Sequence, residues 1–298
     1  CGSAELLPQT EDKIAKAGGM SFYDVTLVFC TCGRTKEVAA FFSALLRDTS
    51  ADLKLQIIIV DQNADQRLEP VLKDFFHVWQ IEYIRTSTRG ISLARNLVLP
   101  KIQGRIVAFP DDDCLYLDHT LENVTAFFAE HPDVDIAVGV WSDLQKPEFP
   151  AGNFEKKLNP YTLFKKGEAF VQFYRSSAVT RIGLFDPDFG PGPQACYPYG
   201  GDDSDYLLRG VFAGLRAMRC CMIHVLHPLQ DTANMDKKKI QGYGMTRMML
   251  LKKHSYPLWF QFANIAYPLI CMVRFPKKYS YFKSMFLGRA GGFLKSLK

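Results

Sequence analysis

Three apolar runs frame this chain. Residues 25–31 (VTLVFCT), 55–61 (LQIIIVD) and 105–109 (RIVAF) are apolar at successive rather than alternate positions. Such runs predict strands buried on both faces, as in a parallel sheet covered by helices. Between them, helical spacing appears in 34–48 (RTKEVAAFFSALLRD), in 67–76 (RLEPVLKDFF) and in 92–102 (SLARNLVLPKI), with a short strand at 81–85 (IEYIR). A helix over 117–132 and a strand over 134–141 (VDIAVGVW) follow. Strands alternating with helices predict an α/β fold, a mostly parallel, doubly wound sheet with helices on both faces. Such sheets bind ligands beyond the carboxyl ends of their strands. Thr31, Asp61 and Asp111 to Asp113 all fall at those ends.

After Trp141 the pattern loosens. Residues 143–165 read as an insertion or long loop, 169–175 (AFVQFYR) as a strand and 176–183 (SSAVTRIG) as a short helix. Residues 185–201 (FDPDFGPGPQACYPYGG) are too rich in turn formers for regular structure. They lead into DDSDYLLRGVFAG, an amphipathic helix with acids at its start.

Composition changes the picture in one place. The chain has 298 residues, 48% hydrophobic and 22% charged, an ordinary globular balance. Its formal charge of +5 hides an asymmetry: residues 237–298 hold thirteen Lys or Arg and no Asp or Glu, leaving 23 basic against 31 acidic side chains in the rest. An acidic body with a purely basic end is not a nucleic-acid-binding surface, and no nucleic-acid partner is expected. The eight cysteines lack metal-site spacing and disulfide-scaffold density, which favours a reduced, cytoplasmic setting. Residues 1–19 carry no apolar signal segment and read as a tag or linker. The catalytic domain is expected over 20–236, with halves of about 20–115 and 116–236. A basic helical extension is expected over 237–298.

The chemistry concentrates in two acidic clusters. Asp111, Asp112 and Asp113 follow a buried strand directly. Carboxylates one residue apart on such a turn can share a hard divalent cation. A solvated turn capping the next helix is the simpler alternative. The second cluster, Asp202, Asp203 and Asp205, follows Gly200 and Gly201 at a helix start. One Asp explains an N-cap; three acids after two glycines suggest a carboxylate base facing a ligand.

In order and spacing these segments resemble family 2 glycosyltransferases of the GT-A fold, in the style of bacterial enzymes that build capsule, O-antigen or exopolysaccharide chains. VTLVFCTCGR is similar to the family's first strand and nucleotide-binding turn, IIIVDQNAD to its second strand, RGISLARN to its Gly-x-x-x-Ala-Arg-Asn helix and VAFPDDDC to its DxD motif. GGDDSDYLLR resembles the Glu-Asp-x-Asp helix, with Asp202 in place of the usual Glu, and RCCMIHVLH resembles the strand whose terminal histidine completes a metal shell. The resemblance spans about residues 25–227.

It implies inverting transfer from a nucleotide sugar, foremost a UDP-sugar, to a glycan or lipid-linked glycan. Asp113, Asp111 and His227 would hold Mn2+ or Mg2+. Asp111 could instead contact ribose. Thr31, Arg34, Asp61, Arg89, Arg95, Asp111 and Asp112 would contact the nucleotide sugar. Asp203 would be the base, with Asp202 as alternative. A nucleotidyltransferase would show a Gly-rich loop after the first strand, where CTCGRTKE has one glycine. A non-catalytic sugar-nucleotide-binding protein would have lost one acidic cluster.

The last expectation concerns 255–273 (SYPLWFQFANIAYPLICMV), an uncharged run with basic flanks. Two prolines, Gln261 and Asn264 make it a poor spanning helix. Its Trp and Tyr suit a segment lying in a membrane interface. Peripheral attachment of 237–298 to the inner, anionic membrane face is expected. The alternatives are packing on the body and a homo-oligomer interface.

Overall fold

The computed structural model describes residues 22–117, 119–150, 154–163, 168–232 and 234–296. The expected tag or linker, 1–19, lies outside them. The chain divides into two compact units. The first comprises residues up to Thr88, Leu93–Leu184 and Arg209–Pro228. The second comprises Arg89–Ser92, Phe185–Leu208 and Leu229 onward.

The first unit holds one nine-stranded sheet. Its strands are β1 (Tyr23–Thr31), β2 (Leu55–Asp61), β3 (Ile81–Arg85), β4 (Gly104–Ala108), β5 (Leu115–Tyr116), β6 (Ile136–Asp143), β7 (Glu155–Lys157), β8 (Gln172–Arg175) and β9 (Ala217–His227). The order is β3-β2-β1-β4-β8-β6-β9-β5, with β7 also paired to β9. Six strands run the same way; β8, β5 and β7 oppose them. The mostly parallel sheet is therefore as expected. The interposed β8, the two-residue β5 and the β7 strand inside the 143–165 segment were not legible as sheet partners.

Helices α1 (Lys36–Asp48), α2 (Glu69–Leu72), α3 (Ile91–Val98), α4 (Thr120–Glu130) and α5 (Ser176–Ile182) connect the strands. The helix expected over 67–76 is a single turn. Beyond Leu72 the chain bonds back at mixed intervals, Phe75 N to Leu72 O and Trp79 N to Phe75 O. Packing dominates there: Phe75 and Trp79 stack against each other and against Phe42, whose neighbour Phe41 meets Phe29 and Tyr116. Phe29, Phe41 and Phe42 are fully buried, and truncating one to Ala would cost about 3–5 kcal/mol.

The second unit is built on three long helices, α7 (Lys237–Lys253), α8 (Leu258–Arg274) and α9 (Tyr279–Ser296), preceded by the acid-led start of α6 (Asp202–Phe212), whose residues to Leu208 belong to it. The helical extension is as expected. Helices α7 and α9 meet backbone to backbone: a Cβ on Gly288 would lie 2.1 Å from the Gln241 carbonyl oxygen. Among the described residues no helix is long and apolar enough to cross a membrane.

Candidate active site

Sheet register assembles the first cluster. β1 runs parallel to β2 and β4, so Thr31 pairs with Asp61 at their carboxyl ends, and β4 ends just before the acidic turn. The chain then enters β5, which pairs antiparallel with the end of β9, Leu115 opposite Leu226. That short pairing delivers His227, the last residue of β9, to the acidic turn.

One ligand atom each from Asp111, Asp113 and His227 fall within 4.8 Å of one another. His227 Nε2 is 3.2 Å from Asp113 Oδ1 and 4.0 Å from Asp111 Oδ2. The ring is stacked on Phe170 at 4.3 Å and met edge-on by Trp141. Its Nδ1 lies 2.9 Å from the Pro228 carbonyl oxygen and donates to it, which directs Nε2 at the carboxylates. Burial works against the imidazolium, but the hydrogen bond and charge of Asp113, with the Asp111 charge and the Pro228 carbonyl, raise the His227 pKa. Burial alone would raise the Asp113 pKa, but His227 and Arg34 hold it below its ordinary value. Two hard oxygens and an imidazole nitrogen suit Mn2+ or Mg2+. A cation there would take the place of the Nε2 proton.

Asp112 is used differently. It accepts from Thr31 Oγ1 at 2.7 Å and from Arg34, whose other Nη is 2.7 Å from Asp113 Oδ2. Burial opposes the Arg34 charge, yet the two aspartates raise its pKa. Arg34 thus ties the turn to the segment after β1, and Thr31 serves the same tie. Arg95 is buried, 3.8 Å from Asp111 Oδ1, its guanidinium 5.7 Å from the Phe109 ring centroid. Asp61 is fully buried. It accepts from Asn63 N and Nδ2, at 2.8 and 2.7 Å, and from the Tyr83 hydroxyl at 2.5 Å. Burial and then Asp61 push the Tyr83 pKa up.

The remaining expected residues lie in the second unit. Arg89 is exposed. Asp203 accepts from the Ser204 amide at 2.6 Å. Asp202 is buried against Gly190: a Cβ at Gly190, whose φ is 94°, would lie 2.8 Å from Asp202 Oδ1. Asp205 is fully buried and meets Lys253 Nζ at 2.6 Å and His254 Nε2 at 2.9 Å. The preceding segment is irregular, as its turn formers predicted. Ser92 Oγ donates to Phe189 O, and Ile91 N to Pro191 O.

Sequence reasoning missed Tyr83, Phe170, Lys253 and Glu168. Glu168 hydrogen-bonds Trp141 and senses His227; burial pushes its pKa up, and among the described residues its Oε2 is buried without a hydrogen-bond partner. A half-buried acid beside a patternless segment leaves no periodic signal. The two neighbouring histidines, by contrast, separate as their spacing suggests: His224 stacks on Phe149, away from the acids that His227 meets.

The first unit is thus an α/β fold with a cation-ready cluster at its sheet edge. Residues 26–185, more than half of the chain, match the family model described as glycosyl transferase family 2. The chain belongs to that family. It is 27% identical over 117 residues to the minor teichoic acid biosynthesis protein GgaB of Bacillus subtilis (strain 168), a match over 38% of this chain and 13% of that protein. Among solved structures, the mannosyltransferase PcManGT from Pyrobaculum calidifontis, in complex with GDP-Man and Mn2+, is similar at a TM-score of 0.66 and 14% identity, over 97% of this chain and 93% of that one. TarS of S. aureus gives 0.59 at 14% identity over 88% of this chain and 55% of that one. Its residues 1–349 in complex with UDP-GlcNAc give 0.60 at 13% identity, over 90% and 92%. At these identities the likeness is one of fold, and the fold is the expected GT-A type. The chain spans about an eighth of GgaB and about half of TarS.

Proposed function

We propose that the protein is a metal-dependent inverting glycosyltransferase, moving a sugar from a nucleotide sugar to a glycan or lipid-linked glycan in bacterial surface-polymer synthesis. The carrying observation is the convergence of Asp111, Asp113 and His227 at the sheet edge of a family 2 chain. The relatives support the substrate class: GgaB by its teichoic acid name, TarS by its UDP-GlcNAc complex and PcManGT by GDP-Man with Mn2+. A UDP-sugar is the donor we favour.

In this reading Asp113, Asp111 and His227 hold the cation, which, when bound, neutralises charge on the departing diphosphate. Arg34 and Asp112 fix the turn that presents Asp113. Arg95, buried beneath Asp111, holds positive charge under the same turn. Asp61, with Tyr83 and Asn63, shapes the nucleotide side, and Arg89 contacts donor phosphate. Asp203 takes the proton from the acceptor hydroxyl, with Asp202 the alternative. Residues 186–200 form part of the acceptor site. Residues 237–298 hold the enzyme peripherally on the anionic inner face of the membrane.

The test is a panel of UDP-, GDP-, dTDP- and CMP-sugars screened for thermal stabilisation with Mn2+, with Mg2+ and with EDTA. Stabilisation by a UDP-sugar that vanishes in EDTA, followed by turnover of that sugar, is the expected result. Turnover undiminished in EDTA would overturn the metal assignment.

A further inference from the structure

Helix α8 is inside out. Its buried residues are Gln261, Asn264, Pro268 and Cys271. Its outward residues include Leu258, Trp259, Phe262, Leu269, Ile270 and Val273, with Trp259 64%, Ile270 67% and Val273 85% exposed. At 100° per residue these six fall within one apolar face about 120° wide, bordered along one edge by Arg274 and Tyr267. Over 17 residues the face is about 25 Å long.

The orientation is locked by hydrogen bonds on the inner side. Gln261 Nε2 donates to the Tyr256 carbonyl at 2.8 Å. Asn264 Oδ1 accepts from Arg247 of α7 at 3.2 Å, and the Asn264 carbonyl accepts from Arg289 of α9 at 2.5 Å. Turning the apolar face inward would take these hydrogen bonds from two buried amides and two half-buried guanidiniums. That is costlier than leaving apolar side chains outward. A contiguous exposed apolar face marks an interaction surface.

Charge selects the partner. Arg274, Lys277, Lys278 and Lys283 are exposed at and beyond the C-terminal end of α8, and no acidic residue occurs from 237 onward. A second copy of this surface would offer those cations no anion. Anionic headgroups would. Trp259, Tyr267 and Tyr279 suit the headgroup level. We propose that the outward face of α8 lies flat in the interface of an anionic bilayer, with Arg274, Lys277 and Lys278 on lipid phosphates. This rests on the peripheral-membrane reading above and assigns it one helix face and one orientation.

The test uses the full chain and vesicles of phosphatidylglycerol with phosphatidylcholine, against phosphatidylcholine alone. Expected is flotation with anionic vesicles that weakens at high salt, and a blue shift of tryptophan emission that Trp259→Phe removes. The double variant Ile270→Glu/Val273→Glu changes only outward positions. It should keep its melting temperature and lose vesicle binding at least tenfold, while Leu46→Glu on α1 binds as the parent does. Equal binding by the double variant, or a shift that survives Trp259→Phe, would overturn the assignment to α8. A parent that ignores the vesicles and self-associates, with the double variant monomeric, would overturn the lipid partner in favour of a second copy. Donor-sugar turnover without vesicles reports the glycosyltransferase reading separately.

Discussion

The two aspartate triads look alike in sequence and are spent differently in the structure. In each, the most buried carboxylate with an ion pair is a structural tie: Asp112 to Thr31 and Arg34 in the first unit, Asp205 to Lys253 and His254 in the second. The acids on either side differ. Asp111 and Asp113 converge with an imidazole, an arrangement that concentrates negative charge and suits a cation. Asp202 and Asp203 sit in the first turn of α6, where Asp203 accepts from the Ser204 amide. Three adjacent aspartates are therefore not one functional group. One acid of each triad, Asp112 or Asp205, is bound to cationic side chains of the fold, and in the function proposed above its neighbours meet the ligands.

The most severe way to break the first triad is Asp113→Asn. Lewis-acid stabilisation is worth several kcal/mol, so turnover should fall roughly 10³-fold. Metal-dependent donor stabilisation should disappear. The melting temperature of the ligand-free protein should hold within a few degrees, because Arg34 keeps Asp112. Unchanged turnover would remove Asp113 from the metal shell. For the second triad, Asp203→Asn should slow turnover by roughly 10²-fold or more at nearly unchanged donor affinity. Steady-state kinetics on Asp202→Asn alongside it decides between the two acids. A larger loss in Asp202→Asn would move the base by one residue.

How much of this was legible follows from range. The apolar runs at 25–31, 55–61 and 105–109 became β1, β2 and β4, because burial on both faces writes itself into consecutive positions. The acidic turn followed from the end of β4. The partners did not. Arg34 reaches Asp112 across 78 residues, Tyr83 reaches Asp61 across 22, and Lys253 reaches Asp205 from another helix. Such pairs depend on register and on a two-residue strand, neither of which has a period. The tail shows the same limit. An uncharged run could be read from sequence, but its facing outward depends on Asn264 finding Arg247 and Arg289.

The Asp112 tie can be tested directly. Asp112→Asn keeps one acceptor for Thr31 but discharges the Arg34 bridge. Residues that orient metal ligands typically contribute 10- to 100-fold in metal affinity. Isothermal titration with Mn2+ should show a weakening of about that size, smaller than for Asp113→Asn. If the two variants weaken Mn2+ equally, Asp112 is itself a ligand and the division within the triad fails.

The smallest effect belongs to the tie in the second unit, which should alter stability and leave metal affinity alone. Lys253 Nζ joins Asp205 and Asp186, each at 2.6 Å, and lies over the Phe189 ring. Its side chain is 31% exposed, so water already screens part of the charge. Asp205 has no exposure, and losing the Lys253 ammonium leaves it the His254 contact. Lys253→Met keeps the stem and removes the ammonium. A loss of about 1–2 kcal/mol follows from leaving a buried carboxylate short of one charged hydrogen bond. For a chain of this size that is a drop of a few degrees in melting temperature. Calorimetry should show the drop, while Mn2+ titration should match the parent. A variant as stable as the parent would mean that the remaining partners of Asp205, His254 among them, satisfy it. A weakened Mn2+ isotherm would mean that the two triads are coupled, and that neither can be read without the other.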